Sequence, residues 1–231
     1  MSSCEFNLRS YKNIFKKALD EDYQIIMLKD FFLNRYDKNR KILINRIDID
    51  FNCKDALKVG EIFKDLNING SFYFRLHAKE YNIFDFDNFN IIKILIKWGN
   101  EVSLHTETVD FQKLCDENDV ESFTNEIKFF EEFFKIKIYG TASHGGNTGY
   151  NNLDFWKIHK PEEFGLVYEA YQKDIWETTR YISDSLGDKW KYYENGKLIE
   201  NDHRCPCAHL DEGVKRIYLL THPLFFNKEK S

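Results

Sequence analysis

Short apolar runs alternate with amphipathic stretches along most of this chain. Lys41–Asp50 (KILINRIDID) is a short β-like run ending in acidic residues. Ala56–Leu66 places Ala56, Val59, Ile62, Phe63 and Leu66 on one helical stripe. Gly70–Leu76 (GSFYFRL) reads as a second strand, rich in aromatics, and Asn88–Trp98 repeats the helical spacing, with Gly99 suited to its C′ position. Glu101–His105 is a third strand and Val120–Lys135 a strongly amphipathic helix. Ile136–Ala142 is a fourth strand, leading into the glycine-bearing loop Ser143–Tyr150. Leu166–Ala170, Thr179–Ile182 and Arg216–Leu220 complete the predicted strands. This rhythm predicts an α/β fold, a parallel sheet with covering helices, either a barrel or an open doubly wound sheet. Residues 1–40 read as a polar, helical N-terminal cap, and residues 41–231 as the α/β unit. Lys189–His209, with Glu-Asn-Gly at 194–196, predicts a hairpin or lid. No repeat or low-complexity linker divides the chain, so one domain is expected.

Most chemistry-bearing residues fall at or just after the end of a predicted strand. Asp48 and Asp50 close the first, His105 the third, and His144 follows the fourth. Asp184 follows Thr179–Ile182, and His222 follows Arg216–Leu220. Parallel strands deliver their last residues to one rim, so these segments would point acids and imidazoles into one bowl. Asp48 and Asp50 lie two apart and share a strand face, where two carboxylates repel unless a cation or a proton stands between them. A divalent ion removes that conflict: one carboxylate can coordinate it while the other takes a proton from water. Read alone, the aspartates could instead sit in solvent or pair with Arg46. His144 lies on a loop whose glycines permit close approach, and His222 precedes a proline that would hold it rigid. A competing cluster, His203-Arg-Cys-Pro-Cys-Ala-His209, holds two Cys and two His, but Cys-Pro-Cys is tighter than ordinary zinc spacing. His77 and His159 read as surface or packing histidines.

Composition narrows the options. A chain of 231 residues suits one α/β barrel. With 42% hydrophobic and 31% charged residues and only 3 Pro, it is globular rather than disordered. The 16% aromatic content carries little weight, because abundant Asn, Lys, Ile and Phe can reflect genomic base composition. A net charge of −5 without a long basic run argues against a nucleic-acid partner. Five scattered cysteines suggest a reduced, cytoplasmic setting rather than a disulfide framework. Neither a signal peptide nor a membrane span is expected.

Asn45-Arg46-Ile47-Asp48-Ile49-Asp50 resembles the Arg-His-Asp-Val-Asp signature of a branch of the polysaccharide deacetylase superfamily (carbohydrate esterase family 4, NodB-like) found in surface-polysaccharide gene clusters. The resemblance continues in order through Gly70–Leu76, Gly99–His105, Ala142-Ser-His-Gly, Tyr181-Ile-Ser-Asp184-Ser and Leu220-Thr-His222-Pro, covering about residues 41–226. It implies a distorted (β/α)7 barrel and a divalent metal, usually zinc, held by one Asp and two His. On that pattern Asp48 matches the general base, Asp50 and His105 match metal ligands, and His222 matches the histidine that protonates the leaving amine. The implied reaction is metal-dependent hydrolysis of an N-acetyl group on a sugar or glycan precursor, nucleotide- or lipid-linked forms included. Two positions depart from the pattern. Val109 stands where a second motif histidine belongs, so His144 is the replacement ligand to consider first and Glu107 the second. Ile47 replaces the signature histidine. Arg46, Arg75, Glu107, Asp184 and Trp190 are candidates for orienting the substrate. The alternative is a catalytically impaired carbohydrate-binding protein that keeps the fold and an aromatic rim of Tyr150, Trp156 and Trp190.

Overall fold

The structure is a computed structural model that describes residues 4–146 and 148–227; Asn147, inside the predicted glycine-bearing loop, lies outside them. The strands are β1 (Gln24–Ile26), β2 (Ile42–Ile49), β3 (Ser71–Phe74), β4 (Glu101–Thr106), β5 (Gly140–Ser143), β6 (Tyr168–Glu169), β7 (Arg180–Ser183), β8 (Lys191–Glu194), β9 (Lys197–Leu198) and β10 (Arg216–Thr221). They pair in the order β6-β5-β4-β3-β2-β10-β7-β8-β9, with β1 beside the first half of β2. Pairing is parallel throughout except in the β7–β8–β9 hairpin, which the turn at Asn195-Gly196 predicts.

The α/β fold and the parallel sheet expected are present, but the sheet is open: the closure that a distorted (β/α)7 barrel implies is not seen. Among the described residues no ladder joins β6 to β7. Side chains span the seam instead: the Tyr218 hydroxyl donates to the Ala170 carbonyl at 3.0 Å, and the Tyr171 and Tyr181 hydroxyls lie 3.5 Å apart.

Alternation along each strand explains both layers. Ile42, Ile44, Tyr73, Ala142, Tyr168, Tyr181, Tyr218 and Leu220 pack together on the concave face. Their sequence neighbours Leu43, Phe72, Phe74, Leu104, Ile182 and Leu219 face outward and share a core with the helices. A parallel sheet covered on both faces needs apolar residues at both parities, and this one has them. Helices Cys53–Leu66, Phe86–Lys97 and Asp119–Phe134 cover the outside. Asn52, Asp85 and Asn118 cap their first turns by accepting from backbone N–H groups. Each of the fully buried Phe63, Phe123 and Phe130 contributes about 1.5–3 kcal/mol by leaving water.

Differences from the sequence reading have local causes. The strand predicted over 136–142 starts only at Gly140, because Lys135 turns the chain at φ 55° and the Ile138 N–H donates to Glu131 Oε1 at 2.8 Å. Gly140 itself is required: a Cβ there would lie 2.5 Å from the Tyr168 ring. The polar N-terminal segment contains helix Leu8–Asp20 but also strand β1, too short to show a period. Cys4 and Cys205, 201 residues apart, are joined as a disulfide with Cα atoms 5.7 Å apart, contrary to the fully reduced reading. No described helix is long and apolar enough to cross a membrane.

One buried histidine ties stability to pH. His209, on helix Pro206–Asp211, is fully buried against Tyr192, with Nδ1 3.2 Å from an Arg180 nitrogen. Burial and the cations Arg180 and Arg204 push its imidazole down to about 4. The unfolded chain takes up a proton near pH 6.5 that the folded chain resists, so this contribution is present above pH 6.5 and is lost as pH falls toward 4. The loss amounts to about 3 kcal/mol. Urea unfolding at pH 7 and pH 4.5 should therefore show a smaller acid-side loss in His209→Asn than in the parent; equal losses would refute the assignment.

Candidate active site

The concave-face parity continues past the ends of the strands, and it brings the chemistry together. Arg46, Asp48 and Asp50 extend the row of Ile42 and Ile44; His105 lies at the end of β4 and Glu107 just beyond it; His144 lies two residues after Ala142, and His222 two after Leu220.

Asp48 is 2% exposed and is gripped by Arg46 through two parallel bonds, Nε to Oδ1 at 2.9 Å and Nη2 to Oδ2 at 2.7 Å. Arg46 also donates to the Tyr218 hydroxyl at 3.2 Å and stacks 4.4 Å above the Tyr171 ring. Burial raises the Asp48 carboxyl, but Arg46 and His105 outweigh it and hold the group at about 2. Arg46 is wholly buried and its bonds go to Asp48 and Tyr218, which corrects the substrate contact expected of it.

Asp50 stands just beyond β2. Its Oδ1 is buried without a hydrogen-bond partner among the described residues, 3.5 Å from His105 Nε2 and 4.0 Å from His144 Nε2. His105 Nδ1 lies 2.7 Å from the Ala142 carbonyl, which can only accept, so the proton sits on Nδ1 and the Nε2 lone pair faces Asp50. Burial lowers the His105 pKa and keeps the ring neutral, as a ligand must be. His144 Nδ1 is 3.2 Å from Glu107 Oε1, and Arg75 Nη2 donates to that same carboxylate oxygen at 2.8 Å. Burial raises Glu107, but His144 and Arg75 reverse the effect and bring it to about 2. Glu107 and Arg75 thus form a support behind His144, and Arg75 also donates to the Asp50 carbonyl at 3.1 Å.

Asp50, His105 and His144 each offer one donor atom, all within 4.8 Å of one another. One carboxylate oxygen, two imidazole nitrogens and an orphaned buried oxygen among them fit a divalent ion of the zinc type. His144, the first candidate for a third donor, lies in this set, whereas Glu107 stands behind it.

His222 is held twice by the fully buried Asp184: its backbone N–H donates to Oδ2 at 2.7 Å, and Nδ1 lies 2.6 Å from Oδ1. Nε2 is then turned toward Asp50 Oδ2, 3.8 Å away. Burial alone would lower the imidazole's pKa; the Asp184 carboxylate more than reverses this, and His222 is protonated at neutral pH. Asp184, expected to touch substrate, instead lies behind His222.

Trp190 is the clearest displacement. It is 3% exposed, stacked on Phe6 at 5.3 Å and against Phe226, so it belongs to the core and to no rim. Trp156 is partly buried, with its ring N–H donating to Ser143 at 3.1 Å, and Tyr150 is exposed. His77 lines a cleft, paired with Glu126 and stacked on Phe111, while His159 packs on Phe155. Sequence reading missed Tyr171. It has no motif around it, yet it lines the recess of about 280 Å³ formed by Asp48, Asp50, His105, His144 and His222, and also a groove of about 480 Å³ on its other side. A larger cleft of about 650 Å³, lined by Arg75, His77, Glu107 and Phe111, meets the recess at His144.

No family model matches the chain, and no curated protein matches it. Among solved structures, the Streptococcus pyogenes deacetylase PplD in complex with acetate is similar to it, with a TM-score of 0.48 and 14% identity over 68% of this chain and 70% of that one.

Proposed function

We propose that the chain is a metal-dependent hydrolase that removes an N-acyl group, acetyl in the simplest case, from a sugar or glycan precursor of surface-polysaccharide metabolism. The observation that carries this reading is the meeting of Asp50, His105 and His144 as a three-donor set beside an ionised Asp48 and a protonated His222. The ordered motifs resembling the polysaccharide deacetylases point the same way and supply the sugar amide as the substrate class. On this reading the open sheet corresponds to a distorted barrel interrupted between β6 and β7.

A divalent ion bound by Asp50, His105 and His144 would polarise the acyl carbonyl and lower the pKa of water. Asp48 accepts the proton of the attacking water. Arg46 keeps it ionised and aimed, and its weak basicity lets it pass that proton on. His222 supplies the other half of the proton traffic: an amine is a poor leaving group until its nitrogen is protonated, and His222 Nε2 carries a proton at neutral pH. Asp184 fixes the ring and stabilises its charge. Arg75, acting through Glu107, orients His144, as outer partners of ligating imidazoles do.

Purified full-length chain should bind one divalent ion at this site and release amine from N-acetylated hexosamines faster than from small acetamides. A chelator should abolish the release, and zinc or cobalt should restore it. If zinc, cobalt and nickel all fail to bind, the reading falls.

A further inference from the structure

The compact His203–His209 cluster does not gather around one point. His203 Nδ1 lies 2.8 Å from the Trp190 carbonyl, and His209 is packed between Tyr192 and Arg180. The sulfurs of Cys205 and Cys207 meet a third sulfur instead, that of Cys4, from the far end of the sequence. All three lie within 4.8 Å of one another. Cys207 is buried, and the other two are partly buried.

We propose that Cys4, Cys205 and Cys207, when reduced, form a second metal site, a three-thiolate site for a thiophilic divalent ion such as Zn2+, sharing no residue with Asp50, His105 and His144. Three sulfurs at one point are more than a disulfide uses. With Cys4 bonded to Cys205, the third remains a buried thiol. A cation bonded to a buried sulfur offsets the cost of holding a thiolate away from water, and Cys207 is buried. The chemistry balances with a dithiol as reductant. It gives two electrons and two protons to the Cys4–Cys205 bond and becomes a disulfide itself. Metal binding then releases the three thiol protons to solvent, three sulfur–metal bonds form, and water takes the fourth position. Either form ties the segment before helix Leu8–Asp20 to helix Pro206–Asp211, by a covalent bond in one and by an ion in the other.

Cobalt distinguishes the two sites, because only sulfur ligation gives an intense near-ultraviolet charge-transfer band. Full-length protein reduced with a phosphine under anaerobic conditions and titrated with Co2+ should develop that band to one equivalent, and Zn2+ should bleach it. The Asp50→Ala, His105→Ala double variant should keep the band at full strength. Cys207→Ser should lose it, and so should Cys4→Ser, a change outside every helix and strand that keeps the proposal testable if the buried variant misfolds. Absence of the band from the reduced parent, or an undiminished band in both serine variants, would overturn the site.

Discussion

Asp50→Ala is expected to abolish metal-dependent deacylation, lowering kcat/KM by ~10³-fold or more, beyond the ~10–100-fold that loss of an outer partner of a metal site brings. Asp50 contributes the only carboxylate oxygen of the three-donor set, and among the described residues that oxygen has no hydrogen-bond partner. What remains is two neutral imidazoles, a poor site for a divalent ion. The metal-free protein should tolerate the change well, since removing this carboxylate relieves its repulsion with neighbouring Asp48. Thermal unfolding separates the two effects. Zinc at a hundred times its dissociation constant should stabilise the parent by about 2.7 kcal/mol and the variant hardly at all. The cysteine cluster should be blocked by alkylation in both proteins, so that only this site is read. Equal stabilisation, or undiminished amine release, would remove Asp50 from the metal centre.

Arg46→Met is expected to cost about 3–5 kcal/mol of folding stability, the largest effect of any single substitution considered. Arg46 is 0% exposed, and its two bonds to Asp48, its bond to Tyr218 and its stacking on Tyr171 are all internal. Methionine fills much of the same volume but leaves the Asp48 carboxylate buried with no guanidinium. The pH dependence should change as well. In the parent, the folded Asp48 is held at about 2 against an ordinary value of 3.8, so the pair's stabilisation is present above pH 3.8 and fades as pH falls toward 2. Without Arg46, burial raises the carboxyl, protonation becomes the relief, and the deficit should shrink as the solution is acidified from pH 7. Arg46→Met combined with Asp48→Leu should recover most of the loss, because a buried ion pair costs little to replace as a unit. Chemical unfolding of the single and double variants at pH 7 and pH 5 checks all three statements; a single variant as stable as the parent would mean that the pair is solvated.

The convergence of the site was legible because it rests on parity. In KILINRIDID a period of two puts Arg46, Asp48 and Asp50 on one face, and strand ends elsewhere carry His105, His144 and His222. What a side chain does once there was harder to read. Arg46 and Asp184 are polar groups near strand ends, and nothing in sequence tells a substrate contact from a group whose whole hydrogen-bonding capacity is spent on a neighbour. Depth decides that, and depth depends on sheet curvature.

The remaining misreadings involve partners distant along the chain. Trp190 follows a polar turn and looked available, but Phe6 covers it from 184 residues away. Cys4 has no local pattern at all, and its meeting with Cys205 and Cys207 follows only from how helix Leu8–Asp20 docks. Strand β1 is three residues long, so its place beside β2 is set by the neighbouring ladder. The seam between β6 and β7 could not be predicted either, because β6 forms only two residues of ladder where a run of five, Leu166–Ala170, reads as strand.

That seam gives Tyr171 an unusual position. Beside the gap between β6 and β7, Tyr171 lines both the recess that holds the acids and imidazoles and the groove of about 480 Å³. Its ring also lies over Arg46, so trimming that ring would loosen the arginine whose bonds hold Asp48: the lining of two cavities and the setting of one buried carboxylate meet in a single residue.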